Sequence, residues 1–259
     1  LLLGIGPIAR WKNSALPELV ARLRWAALAS IVVAALLPLL AGQWHALVAC
    51  GLLLACWVVA SCCVELLGWM RQDAAGGSAW ARLRRLPRAH AGMLVAHFGV
   101  AVFISGVTMV KGYETDKDVK LGPGETVELA GYSFRLAAVE DMRGPNYVAA
   151  RGTFEVTRGG EKITTLRPEK RMYTVQRMPM TESDIDYGFF RHLYVALGEP
   201  LEDNAWLVRV HHKPLIGWIW YGCLLMALGG ALAASDRRYR AAAKAARTAA
   251  VSGGKAAAA

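Results

Sequence analysis

Four long apolar stretches divide the sequence, and each is long enough to cross a lipid bilayer. They lie near residues 25–42, 46–70, 91–110 and 214–234. A helix of about 20 residues rises about 30 Å, which matches the thickness of the hydrocarbon core. The pattern predicts a polytopic α-helical membrane protein. The apolar start at residues 1–9 has no Met and no signal cleavage site, so we expect it to be the end of an earlier helix in a longer protein.

Between the third and fourth stretches, residues 111–213 change to a two-residue alternation of apolar and polar positions. Short runs of β-branched and aromatic residues are separated by turn signals such as Gly122-Pro-Gly and Gly144-Pro-Asn. From Gly152 to Leu166 two such runs flank Gly159-Gly160, which predicts a β-hairpin. Roughly seven to nine short strands predict an inserted small antiparallel β domain, barrel- or sandwich-like.

The formal net charge of +10 bears on membrane topology. Charges are nearly balanced in 111–213, whereas Lys and Arg are concentrated in 10–24, 71–89 and 235–259. Cytoplasmic loops carry such an excess, so these three segments, including the basic tail 235–259, are predicted to be cytoplasmic. The turn at 43–45 and the β domain then lie on the other side. Placement of the charges beside the spans argues against nucleic-acid binding.

The third span contains one histidine, His97, within a stretch that has no charged residue. An ionisable ring in the hydrocarbon region is costly and usually faces the interior of a helix bundle. Gly92, Gly99 and Gly106 recur every seven residues and predict a smooth stripe that admits another helix or a flat cofactor. The residues alone leave three roles open for His97: ligation of haem iron, a buried ring hydrogen-bonded to Ser or Thr, and a proton relay.

Other ionisable residues carry weaker signals. Glu65 could serve a proton relay, but we favour a carboxylate that reaches the interface or pairs with an arginine such as Arg71. His90 lies at the basic boundary and is interpreted as an interfacial ring. His211 and His212 are adjacent on a predicted strand and should point to opposite faces, so they are poor joint metal ligands. The sequence contains no zinc, phosphate-binding or nucleophile motif, and no catalytic residue is assigned.

Several separated blocks, in order along nearly the whole chain, resemble one family. They include Ala89-His-Ala-Gly-Met-Leu-Val-Ala-His-Phe-Gly, Gly112-Tyr-Glu-Thr-Asp-Lys-Asp-Val, Pro168-Glu-Lys-Arg-Met-Tyr, Leu193-Tyr-Val-Ala-Leu-Gly-Glu-Pro, Trp206-Leu-Val-Arg-Val and Lys213-Pro-Leu-Ile-Gly-Trp-Ile-Trp. Together they resemble the C-terminal part of the CcmF family. Members of that family are haem lyase subunits of bacterial system I cytochrome c maturation.

The resemblance implies cofactors and partners that the residue pattern does not reveal. His97, rather than His90, matches the family's histidine that is an axial ligand of a stable haem b. Quinol is the implied reductant of this haem b, which reduces the incoming haem. The haem chaperone CcmE delivers that haem, which is joined by thioether bonds to an apocytochrome c presented by CcmH and CcmI. The implied location is the bacterial inner membrane, with the β domain in the periplasm and the C-terminus in the cytoplasm.

The sequence also departs from the family pattern. The family's tryptophan-rich segment, its two periplasmic histidines and its second intramembrane histidine have no match here. We expect them upstream or on a separate subunit, and we expect this part alone to be inactive. Two other functions stay open: a non-catalytic membrane scaffold that presents a β domain to cytochrome assembly partners, and a quinol-linked haem b electron carrier.

Overall fold

The computed structural model of the chain describes residues 2–6, 16–40, 42–72, 78–175 and 177–236. They form two compact units, a helical unit from both ends of the chain and a β unit over Met109–Gly217. Arg10 and Lys12 of the first basic segment, and the tail 237–259, lie outside the described residues.

The described residues contain six helices. These are α1 (Leu2–Ile5), α2 (Leu16–Leu40), α3 (Ala46–Gln72), α4 (Ala79–Arg84), α5 (Arg88–Tyr113) and α6 (Ile216–Ala234). Of these, α2, α3, α5 and α6 are long and apolar enough to cross a membrane. A helix suits that environment because it satisfies its backbone hydrogen bonds internally. The predicted fold class, a polytopic helical membrane protein with an inserted antiparallel β domain, is confirmed.

The glycine stripe of α5 packs directly on α6. A Cβ atom added to Gly99 would lie 2.7 Å from the backbone nitrogen of Met226, and one added to Gly106 would lie 2.8 Å from that of Ile219. The fit is reciprocal, because a Cβ on Gly222 would lie 2.7 Å from the Gly99 carbonyl oxygen. Of the two predicted uses of this stripe, the structure shows the close approach of another helix.

The opposite face of α5 packs on α3. Ala101 of α5 forms a buried cluster with Ala55 and Val58 of α3. Nearby, Gly51 of α3 lies against the side chain of Thr108, with no room for a Cβ between them. Helix α5 therefore lies between α3 and α6.

The β unit contains ten strands among the described residues, more than the seven to nine predicted. They are β1 (Thr115–Leu121), β2 (Thr126–Leu129), β3 (Tyr132–Arg143), β4 (Tyr147–Arg158), β5 (Glu161–Leu166), β6 (Glu169–Tyr173), β7 (Pro179–Glu182), β8 (Asp184–Tyr187), β9 (Arg191–Pro200) and β10 (Trp206–Pro214). Edge strands β1, β7 and β8 were not predicted because they are short or polar and show little alternation.

The strands form two antiparallel sheets that enclose one apolar core. One sheet has the order β1-β10-β9-β8, and the other has β2-β3-β4-β6-β7 with β5 also paired to β4. Phe134, Phe154 and Leu197 are 0% exposed in the core between them. The predicted hairpin is confirmed as β4 and β5, and its two turn glycines both have positive φ angles, 58° and 84°.

Both chain connections of the β unit leave from the same end. Strand β1 follows α5, β10 precedes α6, and the two strands pair with Thr115 opposite His212. We call this the span end of the β unit. The opposite end, which includes Pro200 and Trp206, is the distal end.

Candidate functional site

The ring of His97 is oriented by a hydrogen bond within its own helix. Its Nδ1 atom lies 2.8 Å from the carbonyl oxygen of Met93, one turn earlier. A carbonyl oxygen can only accept, so Nδ1 carries the proton, and in the neutral ring the lone pair is on Nε2. No hydrogen bond of the described residues involves Nε2. One of the three roles left open by the sequence has a Ser or Thr hydroxyl as the partner of this ring; the partner found here is a backbone carbonyl.

His97 lies on the α3-facing side of α5 and away from the glycine stripe. It is four residues before Ala101 and seven after His90, which are spacings of one and two helical turns. Its side chain is half-buried, so packing does not seal the ring. The glycine stripe and the histidine therefore use opposite faces, one for α6 and one toward α3.

Two weaker candidates from the sequence, Glu65 and His90, meet at the basic end of α5. The Glu65 Oε1 atom lies 3.8 Å from His90 Nε2, and no ion pair of Glu65 with Arg71 occurs among the described residues. Next to this pair, the α5 backbone nitrogen of Ala89 donates to Asp236 Oδ2 at 3.0 Å. A carboxylate at this position complements the positive end of the helix dipole.

The adjacent histidines of β10 point to opposite faces, as predicted. The His212 ring stacks on Tyr132 with centroids 5.9 Å apart, whereas His211 meets Tyr194 edge-on at 6.2 Å. Burial, together with neighbouring cations, lowers the pKa of both rings below the ordinary value of 6.5. Among the described residues, no group of three His, Cys, Asp or Glu side chains could hold a metal ion.

A buried ion-pair network in the β unit was missed by the sequence reasoning. Glu169 is buried and accepts from Arg151 Nε and Arg171 Nε, each at 2.7 Å. Burial raises the pKa of Glu169, but the two arginines outweigh it and hold the pKa below its usual range. The available signal was the spacing of Glu169 and Arg171, which places both on one face of a strand.

An open cleft of about 570 Å³ lies beside this network at the distal end. Its lining combines apolar residues with charged residues of both signs, among them Met142, Trp206, Arg143, Lys170, Asp141 and Glu199. Arg171 also lines it, and its guanidinium carbon lies 4.6 Å from the centroid of the Tyr147 ring. Such a mixed surface suits contact with a protein more than it suits a small charged ligand.

Comparison with known proteins places this architecture in a family. The sequence model of one protein family, described as the CcmF C-terminal beta-sandwich, matches residues 112–214. The cytochrome c-type biogenesis protein CcmF of Pseudomonas aeruginosa is 45% identical over 238 residues, which are 92% of this chain and 36% of that protein. The chain belongs to the CcmF family. The matched domain also decides between the two predicted β architectures in favour of the sandwich.

Further comparisons within the CcmF family extend the match beyond the β unit. The Escherichia coli CcmF is 38% identical over 242 residues, which are 93% of this chain and 36% of that protein. A solved structure titled cytochrome c heme lyase CcmF has a TM-score of 0.69, with 20% identity, and the match covers 90% of this chain and 37% of that chain. That structure shares the fold. The chain thus spans a little over a third of these CcmF proteins.

Proposed function

We propose that this chain forms the C-terminal region of a membrane haem lyase in cytochrome c biogenesis, with His97 as an axial ligand of a b-type haem. Family membership supports the biogenesis role, because the relatives are named cytochrome c-type biogenesis proteins and the solved neighbour is titled a heme lyase. The observation that carries the ligand assignment is the 2.8 Å hydrogen bond from His97 Nδ1 to the Met93 carbonyl oxygen.

The tautomer and the orientation of the His97 ring suit a ligand of haem iron. A histidine that binds iron through Nε2 commonly donates its Nδ1 proton to a backbone carbonyl, which fixes the tautomer and raises the basicity of the ligand. The residue lies about 14 Å along α5 from Arg88, inside the apolar span. In this role Met93 is a positioning residue, because its carbonyl oxygen orients the ring. A b-type haem held here would supply one-electron reduction of the incoming haem.

The second axial ligand is proposed to come from a helix other than α1–α6. His90 is seven residues from His97, or about 10 Å along the same helix face, which is too far for both rings to hold one iron from opposite sides. His45 lies in the turn between α2 and α3. The remaining histidines, His192, His211 and His212, belong to the β unit.

The proposed partners are those implied by the family resemblance. They are quinol as reductant, CcmE as the source of the incoming haem, apocytochrome c as its acceptor, and CcmH and CcmI as subunits. In the proposed location, the bacterial inner membrane, the β unit is periplasmic and the C-terminus is cytoplasmic. Arg82, Arg84 and Arg85, between α3 and α5, support this orientation, because basic loops stay in the cytoplasm. The β unit is proposed to dock partners, and its distal cleft supports that role.

The ligand assignment is tested by spectroscopy on the complete protein purified in detergent. Reduced-minus-oxidised and pyridine haemochrome spectra are compared for the wild type, His97→Ala and the matched control His90→Ala. We expect a b-type signal that is lost or weakened only in His97→Ala. An unchanged signal in His97→Ala would contradict the assignment.

The same variants distinguish the two alternative functions when covalent cytochrome c formation is measured in cells. A haem lyase subunit loses maturation in His97→Ala. A quinol-linked electron carrier would keep maturation while losing its haem signal. A scaffold would show no haem and no effect of either substitution.

A further inference from the structure

The turn between β8 and β9 presents aromatic side chains at the span end of the β unit. Tyr187, Phe189 and Phe190 are 73%, 57% and 68% exposed. The rings of Phe189 and Phe190 contact each other edge to face, with centroids 4.9 Å apart. We call these three residues the aromatic tip. Clustered exposed aromatic side chains are unfavourable in water and usually mark an interaction site.

The aromatic tip is fixed next to the first residues of α6. Strands β9 and β10 pair to their ends, with Arg191 opposite Pro214. The backbone nitrogen of Leu215 then donates to the Phe190 carbonyl oxygen at 2.8 Å. Leu215 has a φ angle of 52°, so a single residue in the left-handed region turns the chain from β10 into α6. The tip and the start of α6 therefore share one short, hydrogen-bonded junction.

The length of α6 sets the level of this junction in the membrane. The helix has 19 residues and a length of about 28 Å, close to the roughly 30 Å of the hydrocarbon core. A helix with no residues to spare must begin at the edge of the core. By chain connection, Leu215, which comes directly before it, would then lie at the same edge, together with the Phe190 carbonyl group to which it donates. Aromatic side chains are favoured at this level of a bilayer, and Trp218 and Trp220 occupy the first turns of α6.

The charges around the tip are compatible with lipid contact. The cation that follows it, Arg191, forms an ion pair with Asp186. At the same junction, Lys213 Nζ lies 3.7 Å from Glu114 Oε2. Neutralised pairs lower the cost of bringing the tip to a lipid surface, because isolated charges would have to lose water.

We propose that the aromatic tip inserts into the lipid interface on the β-unit side of the membrane and anchors the β unit there. The occupant is the headgroup and upper acyl region of the phospholipid leaflet. The apolar residues exposed at the distal end, such as Val175, carry no such inference, since they have no connection to a span. The proposal does not depend on haem binding or on the role of His97.

Site-specific photocrosslinking tests the anchor in the complete protein reconstituted in phosphatidylethanolamine–phosphatidylglycerol nanodiscs. The photoreactive amino acid p-benzoylphenylalanine replaces Phe189 or Phe190 in separate variants, so that each retains the other phenylalanine. Val175 at the distal end, 87% exposed, is the negative control. Leu228 within α6, 63% exposed, is the positive control for lipid. After irradiation, intact mass spectrometry identifies each adduct.

We expect phospholipid adducts at Phe189, Phe190 and Leu228 and none at Val175. Adducts at Leu228 alone would overturn the proposal, because the tip would then lie in water or against protein. A protein adduct at the tip without lipid would overturn it in favour of a protein-binding surface. Lipid adducts at all four positions would also overturn it, since the labelling would not distinguish the tip from the distal end.

Discussion

The two units of the chain bury apolar side chains in different ways. In the β unit, two sheets enclose phenylalanine, leucine and valine side chains that have no exposed surface. In the helical unit, large side chains such as Leu40 and Leu47 are almost fully exposed. Such apolar helix surfaces are unfavourable in water but are stable in the hydrocarbon of a membrane. The β unit is therefore stabilised by its own core, and the helices depend on their surroundings.

This difference changes what holds neighbouring elements together. Between helices in lipid, the hydrophobic effect contributes little because lipid tails are as apolar as leucine, so close van der Waals packing becomes more important. Gly99 and Gly222 let the backbones of α5 and α6 approach each other directly. In the β unit the same task is done by large side chains, such as Phe134 and Phe154. The comparison predicts that enlarging a small residue damages the helical unit, whereas removing a large one damages the β unit.

The largest effect is expected from Phe154→Ala in the β core. Phe154 is fully buried, so the substitution leaves a cavity and should lower the free energy of unfolding of the β unit by about 3–5 kcal/mol. The matched control is Ile163→Ala on β5, where the side chain is exposed and the change should stay below about 1 kcal/mol. Hydrogen exchange of the strand amides measures both. Equal losses would show that the β unit has no self-sufficient core.

Gly99→Val tests the opposite rule in the helical unit. An added side chain would collide with the backbone of α6 at Met226, so we expect a loss of about 1–3 kcal/mol or separation of α5 from α6. Gly230→Val is the control, because apart from the backbone of α6 itself no atom of the described residues lies within 4 Å of a Cβ at Gly230. The two variants are heated in detergent, and size-exclusion chromatography then measures how much folded protein remains in each. If both behave alike, close glycine packing does not hold this helix pair.

Glu169→Gln tests whether the buried ion-pair network stabilises the β unit in addition to its apolar core. The substitution leaves Arg151 and Arg171 without their carboxylate, but both guanidiniums are partly exposed, so we expect a loss of roughly 1–2 kcal/mol. Glu155→Gln removes a pair with Arg135 at the surface, where solvent screens the charges, and should have a smaller effect. Chemical denaturation measures the difference, with hydrogen exchange of the same strand amides as the readout. A larger loss from Glu155→Gln would contradict the importance of burial.

The smallest effect is expected from pH, and it should appear only in the β unit. Burial is the first cause that lowers the pKa values of His192, His211 and His212 below 6.5, so the unfolded chain binds more protons than the folded one. The contribution of these neutral rings to the free energy of unfolding is then fully present above about pH 6.5, and it falls as the pH drops below that value. Strand amide exchange at pH 7.5 and 5.5 measures the change, and His212→Gln should remove part of it. Greater stability at pH 5.5 would contradict the sign.

Sequence patterns predicted the structure best where neighbouring residues decide the local geometry. The turn at Gly159-Gly160 was predicted because two glycines between β-rich runs favour one hairpin geometry, and the structure has that hairpin. The opposite orientations of His211 and His212 followed from strand alternation alone. His97 was selected as a candidate functional residue because an ionisable ring in an apolar span is rare, and the family resemblance implied haem ligation, which remains a prediction.

Contacts between distant parts of the chain were not predictable in the same way. Glu65 was expected near an arginine close in sequence, but the structure brings it to His90 on another helix. The polar edge strand β1 was missed because it lacks alternation. Its partner β10 lies at the other end of the β unit along the sequence. In both cases the partner is chosen by the packing of whole elements, and single-residue patterns carry no information about that choice.

Sequence patterns alone predict the four apolar spans, the inserted β domain, the glycine stripe and the place of His97 within a span. These features depend on hydropathy, helical period and strand alternation, which act over neighbouring residues. The folded chain was needed to show that α6 covers the glycine stripe, that the Met93 carbonyl orients His97, and that the aromatic tip lies beside Leu215. Side-chain orientation and long-range pairing depend on which surfaces fit together, because close packing and hydrogen bonding are satisfied only when the elements have assembled.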